Sequence, residues 1–180
     1  MRIISGYYRG RRILPPTNLP VRPTTDMAKE ALFNILTNTV DYESTRALDL
    51  FAGVGNISLE LISRGCPYVL AIDNNLNCIK FIKETAKKFE MSGLLAMKAD
   101  VFKFLDQSKA KFDLIFADPP YDNPDISKIP GLVFEKGILN EGGIFILEHP
   151  KECHFEADPL CYDHRVYSRV NFSFFRQSPH

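Results

Sequence analysis

The sequence predicts an α/β fold: a mostly parallel, seven-stranded sheet with an antiparallel hairpin at one edge, preceded by a small N-terminal β-hairpin. Two observations predict it. Five short apolar runs are separated by stretches long enough for a helix, and the last segment holds two strand-like pieces with little between them. Such alternation is typical of parallel strands joined by crossover helices that cover both faces of the sheet.

The first elements are a basic extension and a helix. RIISG and RRIL flank GYYRG, which indicates a hairpin, and the proline-rich LPPTNLPVRP connects it to the main body. We therefore divide the chain into residues 1–22, a basic β-hairpin extension with its connector, and residues 23–180, the main domain. Thr24 or Thr25 can cap a helix that runs to about Asn38, with Asp26 in its first turn.

The strands follow at intervals along the main domain. The final segment, YDHRVYSRVNFSFFRQ, leaves no room for a crossover helix, so its two strands are expected to pair antiparallel at the sheet edge. The five parallel strands are ALDLF (47–51), YVLAID (68–73), LLAMKA (94–99), FDLIFAD (112–118) and GIFILEH (143–149).

Composition argues against a membrane, secreted or metal-bound protein. The chain is 45% hydrophobic and 24% charged, and no apolar run approaches the roughly 20 residues of a membrane span. MRIISGYYRGRR lacks the apolar stretch of a secretory signal, so we expect a cytoplasmic protein with no membrane partner. A monomer is also expected, although no sequence feature specifies the oligomeric state. No CxxC occurs, and no histidine stands at metal-ligand spacing, so reduced structural thiols and no metal site are expected for Cys66, Cys78, Cys153 and Cys161.

Charge is distributed unevenly along the chain. The formal net charge is +0, yet residues 1–22 hold five arginines and no acid, which leaves 17 bases against 22 acids in the rest. A solvated structural face is one explanation. Arginine, however, can donate two parallel hydrogen bonds to one phosphate, and two tyrosines among the arginines can stack on bases. Both properties favour a nucleic-acid-binding surface. The candidate RNA-binding residues are Arg2, Tyr7, Tyr8, Arg9, Arg11, Arg12 and Arg22.

The first strand runs into DLFAGVGNIS, where Gly53 and Gly55 bracket a tight turn before a helix. Glycine allows the backbone to approach a ligand closely, and the helix N-terminus offers N–H groups. The third glycine of the dinucleotide fingerprint is replaced by Ser58. Asp73, at the end of the second strand, can hydrogen-bond both hydroxyls of a ribose, although a strand-end aspartate can also simply form a turn.

The third strand ends at Asp100. Its carboxylate can accept from an adenine amine while the Val101 N–H reaches a ring nitrogen, and it can equally cap the following helix. The strand ends thus offer a pocket for an adenosine, which a nicotinamide cofactor and S-adenosylmethionine share. The candidate cofactor-binding residues here are Asp49, Phe51, Gly53, Gly55, Asn56, Asp73, Asn74, Asp100, Val101 and Asp118.

The fourth strand ends in ADPPY, which distinguishes the two cofactors. Pro119 and Pro120 have no N–H, so this stretch presents carbonyls and the Asp118 carboxylate with few competing donors. The complementary partner is a nucleobase NH2, whose two protons Asp118 and the Pro119 carbonyl can take, leaving the nitrogen lone pair directed at a methyl donor. Tyr121 can stack on the base, a contact worth roughly 1–3 kcal/mol. The catalytic candidates are therefore Asp118, Pro119, Pro120 and Tyr121, and the alternative is a strand-terminating turn.

Together these motifs resemble the RsmD family of 16S ribosomal RNA guanine-N2 methyltransferases, within the S-adenosylmethionine-dependent, Rossmann-like class. The resemblance covers nearly the whole chain, and the combination of RPTTD with DPPY is its specific part. The matching stretches are MRIISGYYRGRR, RPTTDMAKEALFNIL, LDLFAGVGN, SRG, FDLIFADPPY, LEH and NFSFF.

The resemblance implies a Rossmann-like methyltransferase fold, S-adenosylmethionine as cofactor, and methylation of one guanine in small-subunit rRNA, position 966 in standard rRNA numbering. It implies that rRNA, or the assembling 30S particle, is the partner, and that the N-terminal hairpin contacts it. It also implies that Arg22, Thr24, Thr25 and Asp26 close over the cofactor.

Three alternatives stay open. A DNA or RNA adenine-N6 methyltransferase would use the same DPPY chemistry, although DNA-modifying enzymes usually carry a separate target-recognition region. An NAD-dependent oxidoreductase needs a substrate acid–base group, and all four histidines fall at or after residue 149. A non-enzymatic RNA-binding module would keep the arginines but has no use for an adenosine pocket.

Overall fold

The computed structural model describes residues 1–20 and 24–177. Its seven strands are β1 (Arg46–Leu50), β2 (Tyr68–Asp73), β3 (Leu94–Lys98), β4 (Phe112–Ala117), β5 (Leu139–His149), β6 (Cys161–Tyr167) and β7 (Val170–Phe175). They form one sheet in the order β3-β2-β1-β4-β5-β7-β6. The first five strands are parallel, and β7 pairs antiparallel with β5 and β6. The predicted mostly parallel sheet with an antiparallel edge hairpin is confirmed.

Five α-helices connect or precede the strands in the described residues: α1 (Asp26–Thr37), α2 (Asn56–Ser63), α3 (Leu76–Lys88), α4 (Val101–Gln107) and α5 (Ile129–Glu135). Successive strand residues point to opposite faces, so Ala47 packs in one core cluster and Leu48 in another. The first cluster holds the apolar faces of α1, α2 and α3, and the second holds those of α4 and α5. Within the described ranges, no helix has both the length and the apolar character that crossing a bilayer requires.

The start of α1 follows its predicted cap. The Thr25 hydroxyl accepts a hydrogen bond from the Ala28 N–H at 3.2 Å, and Asp26 occupies the first turn, where a negative charge interacts favourably with the helix dipole. The predicted boundary between residues 22 and 23 lies outside the described residues, and so does Arg22.

The N-terminal arm, residues 1–13, reverses direction as predicted, and backbone hydrogen bonds join its two ends: the Ile3 N–H donates to the Arg11 carbonyl at 3.0 Å, and the Ile13 N–H donates to the Met1 carbonyl at 3.0 Å. It contains one isolated antiparallel bridge, between Arg2 and Arg12. The Ile4 and Ser5 N–H groups donate to the carboxylate of Glu60 on α2, which attaches the arm to that helix. The arm also buries two isoleucines, Ile3 and Ile13, in the core cluster of α1–α3. The arm is therefore packed along the helices.

Candidate active site

A cavity of about 460 Å³ opens at the carboxyl ends of the parallel strands β1–β4. In open α/β sheets, ligands bind at this edge, where the strand order reverses, and the reversal here falls between β1 and β4. Its volume is within the range of about 300–1,000 Å³ common for small-molecule sites. The predicted site residues that line it are Asp49, Phe51, Gly53, Asn56, Asp73, Asn74, Asp100, Val101, Asp118, Pro119, Pro120 and Tyr121.

Three predicted cofactor-binding residues do not line the cavity. Thr25 caps α1, and the Asp26 carboxylate lies at the surface, 4.0 Å from the Arg2 Nε. Gly55 has φ 80° at the start of α2, and a Cβ there would lie 2.9 Å from the Ile82 side chain. Gly55 thus allows α2 to pack closely against α3, behind the cavity wall.

The Asp73 carboxylate holds the glycine turn in place. The Gly53 N–H donates to its Oδ2 and the Asn75 N–H to its Oδ1, both at 2.8 Å. Because each carboxylate oxygen has two acceptor sites, one remains on each for a ligand. Just before the turn, Phe51 adopts φ 58°, a left-handed conformation that is uncommon for a bulky residue and is found most often at functional sites.

An apolar wall stands beside the glycine turn. The Phe51 ring meets the Phe102 ring edge-on, with centroids 6.2 Å apart, and both side chains line the cavity. Asp100, at the adjoining strand end, caps α4 by accepting from the Lys103 N–H at 2.9 Å. It also lines the cavity, so the capping role and the predicted role in ligand binding are compatible.

Asp49 is a buried carboxyl in the cavity wall, only 1% exposed. The Ser58 N–H and hydroxyl both donate to its Oδ2, at 3.1 and 2.5 Å. Burial raises the pKa of Asp49 to about 7, and the nearby Asp73 adds to the rise, while the bonds from Ser58 oppose it. The charge of this cavity wall therefore changes near neutral pH.

The DPPY corner closes the opposite wall. The Asp118 N–H donates to the Leu50 carbonyl at 3.3 Å, which links the end of β4 to the end of β1. The Asn123 N–H donates to the Pro120 carbonyl at 2.9 Å and closes the turn. The corner thus presents the Asp118 side chain and the Tyr121 ring to the same cavity as the glycine turn.

Several lining residues were not among the predicted site residues. Asn75 caps α3 by accepting from the Asn77 and Cys78 N–H groups, and an asparagine two residues after a strand and directly before a helix was a recognisable signal. Thr24, which the resemblance implicated, does reach the cavity. The further lining residues are Pro20, Thr24, Ala52, Val54, Ile57, Asn75, Cys78, Phe102, Phe116 and Asn123.

A buried ion pair, also not predicted, joins the N-terminal arm to the cavity. The Lys29 Nζ lies 3.0 Å from the Glu60 Oε2 and donates to the Arg2 carbonyl at 2.9 Å and the Asn56 Oδ1 at 2.8 Å. Lys29 is 1% exposed and Glu60 0%. Burial lowers the pKa of Lys29, and the charge of Glu60 opposes this shift. Asn56 lines the cavity, so one lysine contacts both the arm and the cavity wall.

The tip of the arm lies at the far end of α2 from the cavity. The Tyr7 and Tyr8 N–H groups donate to the carbonyl and hydroxyl of Ser63, the last residue of α2, at 2.8 and 3.0 Å. The Tyr8 ring stacks on Phe89, which follows α3, with centroids 6.5 Å apart. Of the other predicted RNA-binding residues, those with exposed side chains are Arg2, Tyr7, Arg9, Arg11 and Arg12.

Known proteins resemble the chain over most of its length. The family model for conserved hypothetical protein 95 matches residues 1–176. YlbH of Bacillus subtilis (strain 168), whose name gives a provisional assignment as an rRNA methyltransferase, is 33% identical over 156 residues, 84% of either chain. Ribosomal RNA small subunit methyltransferase D of Escherichia coli (strain K12) is 27% identical over 152 residues, 84% of this chain and 76% of that protein.

Solved structures of other proteins also superimpose on most of this chain. That of yhhF from Escherichia coli, titled provisionally as a methyltransferase, superimposes with a TM-score of 0.86 at 25% identity, over 98% of this chain and 97% of that one. The Thermus thermophilus 16S rRNA N2 G1207 methyltransferase RsmC, solved with AdoMet and guanosine, superimposes with a TM-score of 0.69 over 89% of this chain and 45% of that one. Because the identity is only 19%, this similarity supports the fold alone. The predicted Rossmann-like methyltransferase fold and the resemblance to RsmD are confirmed, and the chain belongs to the conserved hypothetical protein 95 family.

Proposed function

We propose that this protein is an S-adenosylmethionine-dependent methyltransferase that modifies the exocyclic N2 amine of a guanine in small-subunit rRNA. The observation that carries the proposal is that the DPPY corner and the Gly53 turn, held by Asp73, face one cavity. The names of the rRNA small subunit methyltransferase D relatives support the same substrate.

The charge of the cavity fits S-adenosylmethionine better than a nicotinamide cofactor. Four aspartates line it, and among the residues that the structure describes no lysine or arginine does. S-adenosylmethionine carries a sulfonium and an ammonium, which these carboxylates attract, whereas the pyrophosphate of NAD would be repelled. The four are Asp49, Asp73, Asp100 and Asp118.

Each part of the ligand has a complementary part of the wall. The remaining acceptor sites of Asp73 suit the two ribose hydroxyls, and the Phe51 and Phe102 rings suit the faces of an adenine. Asp100 and the Val101 N–H suit its hydrogen-bonding edge. The glycine turn and Asp49 then remain to bind the methionine portion of the ligand.

The work of the DPPY corner is to hold the acceptor amine. Asp118 and the Pro119 carbonyl accept the two N–H bonds of the amine, and Tyr121 stacks on the ring. The cofactor supplies an electrophilic methyl group, and its transfer to nitrogen leaves S-adenosylhomocysteine and one amine proton that passes to water. Positioning of this kind contributes up to about 7–11 kcal/mol in ideal cases. Asp118 is therefore assigned the role of orienting acceptor.

The substrate base must leave its stack to reach Asp118. In a paired guanine, the N2 amine is bonded to cytosine at the minor-groove edge and the stacked base cannot enter the cavity; extrusion costs a few kcal/mol, so an unpaired or flipped guanine is the expected substrate. Phosphate contacts from the arginines of the N-terminal arm offset that cost. We further propose that the partner is small-subunit rRNA, free or in an assembling 30S particle, and that the protein acts as a cytoplasmic monomer.

The Asp118→Ala variant tests the assignment. Radiolabelled methyl transfer to small-subunit rRNA should be lost, while calorimetry still detects S-adenosylmethionine binding. Asp122→Ala is the matched control, because Asp122 is an exposed aspartate in the same turn that does not line the cavity. Turnover by Asp118→Ala at the rate of the control would show that the amine is held elsewhere.

A further inference from the structure

We propose that the solvent face of α3 is a second RNA-binding surface, which guides the RNA strand from the tip of the N-terminal arm to the mouth of the cavity. The surface, called the α3 track below, consists of Lys80, Lys83 and Lys87. The inference rests on the proposed function, because it takes the RNA substrate as the ligand.

The two ends of α3 lie at the two places that the RNA must reach. Asn75, which caps the helix, and Cys78 in its first turn line the cavity. Phe89, at its other end, contacts the arm tip. The helix has 13 residues, so it spans roughly 20 Å. RNA held by the arm tip therefore has to cross about the length of α3 before a base can enter the cavity.

The α3 track occupies the side of the helix that faces water. Lys80, Lys83 and Lys87 are exposed and stand at i, i+3 and i+7, which places them on one face. Cys78, Ile79, Ile82, Thr85 and Ala86 form the buried face. Along the helix axis, Lys80 and Lys83 are about 4.5 Å apart and Lys83 and Lys87 about 6 Å apart, so the three lysines form a row of cations.

The lysines of the α3 track are not paired with carboxylates of the described residues. In the described part of the chain, none of the three forms an ion pair with a carboxylate, although Glu84 lies one turn from both Lys80 and Lys87. The formal net charge of the whole chain is +0, so this row is a local concentration of positive charge. Such local charge attracts a polyanion independently of the net charge of the protein.

The α3 track is continuous with the arginines of the arm. The Arg11 guanidinium carbon lies 4.7 Å from the centroid of the Phe89 ring and 5.2 Å from that of Tyr8. The Lys88 Nζ lies 5.7 Å from the same Phe89 centroid. Cations of the arm and of α3 thus meet at one aromatic pair, which joins the two basic surfaces. A phosphate backbone leaving Arg11 meets Lys87 next, then Lys83 and Lys80.

The test compares two pairs of exposed lysines that differ only in position. Lys83→Gln/Lys87→Gln removes two charges from the α3 track. Lys109→Gln/Lys111→Gln removes two from the segment after α4, on the opposite face of the sheet. Lysine and glutamine have similar helix propensity, so α3 should stay folded, which circular dichroism checks. The probe is small-subunit rRNA, with binding measured over a series of KCl concentrations.

The α3 track variant should bind rRNA more weakly at low salt, and its log–log salt slope should fall by roughly 1.4, two phosphate contacts at 0.7 each. Adding Lys80→Gln should lower the slope again by about 0.7. In methyl transfer, the KM for RNA should rise with little change in kcat, and affinity for S-adenosylmethionine should stay constant. Equal slopes for the α3 variant and the 109/111 control would overturn the proposal.

Further outcomes distinguish failure of the proposed function from failure of the α3 track. Absence of RNA methylation by the wild-type protein would refute the proposed function, whatever the salt slopes. Methylation by the wild type together with a wild-type slope in the α3 variant would refute the α3 track alone. Normal rRNA binding by that variant with loss of methylation on ribosomal particles would assign the surface to a protein partner and so overturn the RNA assignment.

Discussion

The Tyr121 hydroxyl donates a hydrogen bond to the Glu148 Oε1 at 3.2 Å. Glu148 is 1% exposed, near the end of β5, and Ala117 pairs with Leu147, so the ends of β4 and β5 lie side by side. The tyrosine of the DPPY corner is therefore attached to the neighbouring strand before any base arrives. This bond restricts the orientation of the ring that is proposed to stack on the guanine.

Replacement of Tyr121 separates the ring from its hydroxyl. Tyr121→Ala removes the stacking contact of roughly 1–3 kcal/mol and should lower kcat/KM for rRNA by about 5- to 150-fold. Tyr121→Phe keeps the ring and loses one hydrogen bond, typically about 0.5–1.5 kcal/mol, so its loss should be smaller. Steady-state kinetics with rRNA measures both variants. Equal losses would mean that the ring does not bind the base.

Gly6 is required for docking of the N-terminal arm on α2. A Cβ at this position would collide with the Ser63 carbonyl, and φ is +86°. Gly10 has a similar φ of +82° but open space around it, so Gly10→Ala carries the same backbone strain without the collision. Gly6→Ala should therefore reduce the free energy of unfolding and the affinity for rRNA more than Gly10→Ala does. Urea unfolding and filter binding compare them, and matching losses would contradict close docking.

The buried pair of Lys29 and Glu60 should be costly to break by removal of one partner. Lys29→Met removes one of the two cations that contact the buried Glu60 carboxylate, and the Arg64 Nε stays 2.9 Å from its Oε1, so the cost should lie below the roughly 3–5 kcal/mol of leaving a buried charge unpaired. Lys111→Met, at an exposed lysine, should change the free energy of unfolding by less than about 0.5 kcal/mol. The double variant Lys29→Met/Glu60→Gln should lose less than the sum of the two single variants. Additive losses in urea unfolding would argue against the coupling.

Asp49 should give the protein a pH dependence near neutrality. Its pKa is raised from 3.8 to about 7 in the folded state, so its contribution to stability is fully present below pH 3.8 and is lost as pH rises through about 7. Over the same range the carboxyl gains the charge that attracts a cationic ligand, so affinity for S-adenosylmethionine should rise. In the Asp49→Asn variant, the free energy of unfolding and the affinity for S-adenosylmethionine should both depend less on pH in this range. Calorimetry and urea unfolding at several pH values test this, and unchanged profiles would be the contrary result.

The sheet and most of the cavity wall are predictable from the sequence for one physical reason. Parallel strands in the middle of the sheet are buried on both faces, so each leaves an uninterrupted apolar run, and the polar residue that ends the run marks the ligand edge. Asp73 and Asp118 follow this rule, whereas Asp100 comes after the partly exposed edge strand β3. Gly53 and Pro119 also indicate the ligand-binding edge of the sheet, because glycine permits the tight turn after β1 and proline ends β4.

Other features depend on long-range packing that a local pattern does not encode. Lys29 follows a buried alanine in an amphipathic helix and would ordinarily reach water, yet Glu60, thirty-one positions later, pairs with it. The arm makes the reversal that its turn residues predict, but its attachment to α2 through the bonds from Ile4 and Ser5 to Glu60 depends on residues distant in sequence. Thr25 and Asp26 lie away from the cavity because they serve the start of α1.

The central claim is that the DPPY corner presents a guanine N2 amine to the methyl donor, and nucleoside analysis tests it most directly. Small-subunit rRNA from cells that lack this protein would be incubated with the protein and S-adenosylmethionine, hydrolysed, and analysed by mass spectrometry. We predict N2-methylguanosine at one site per rRNA molecule. N6-methyladenosine, or no methylated nucleoside, would contradict the claim.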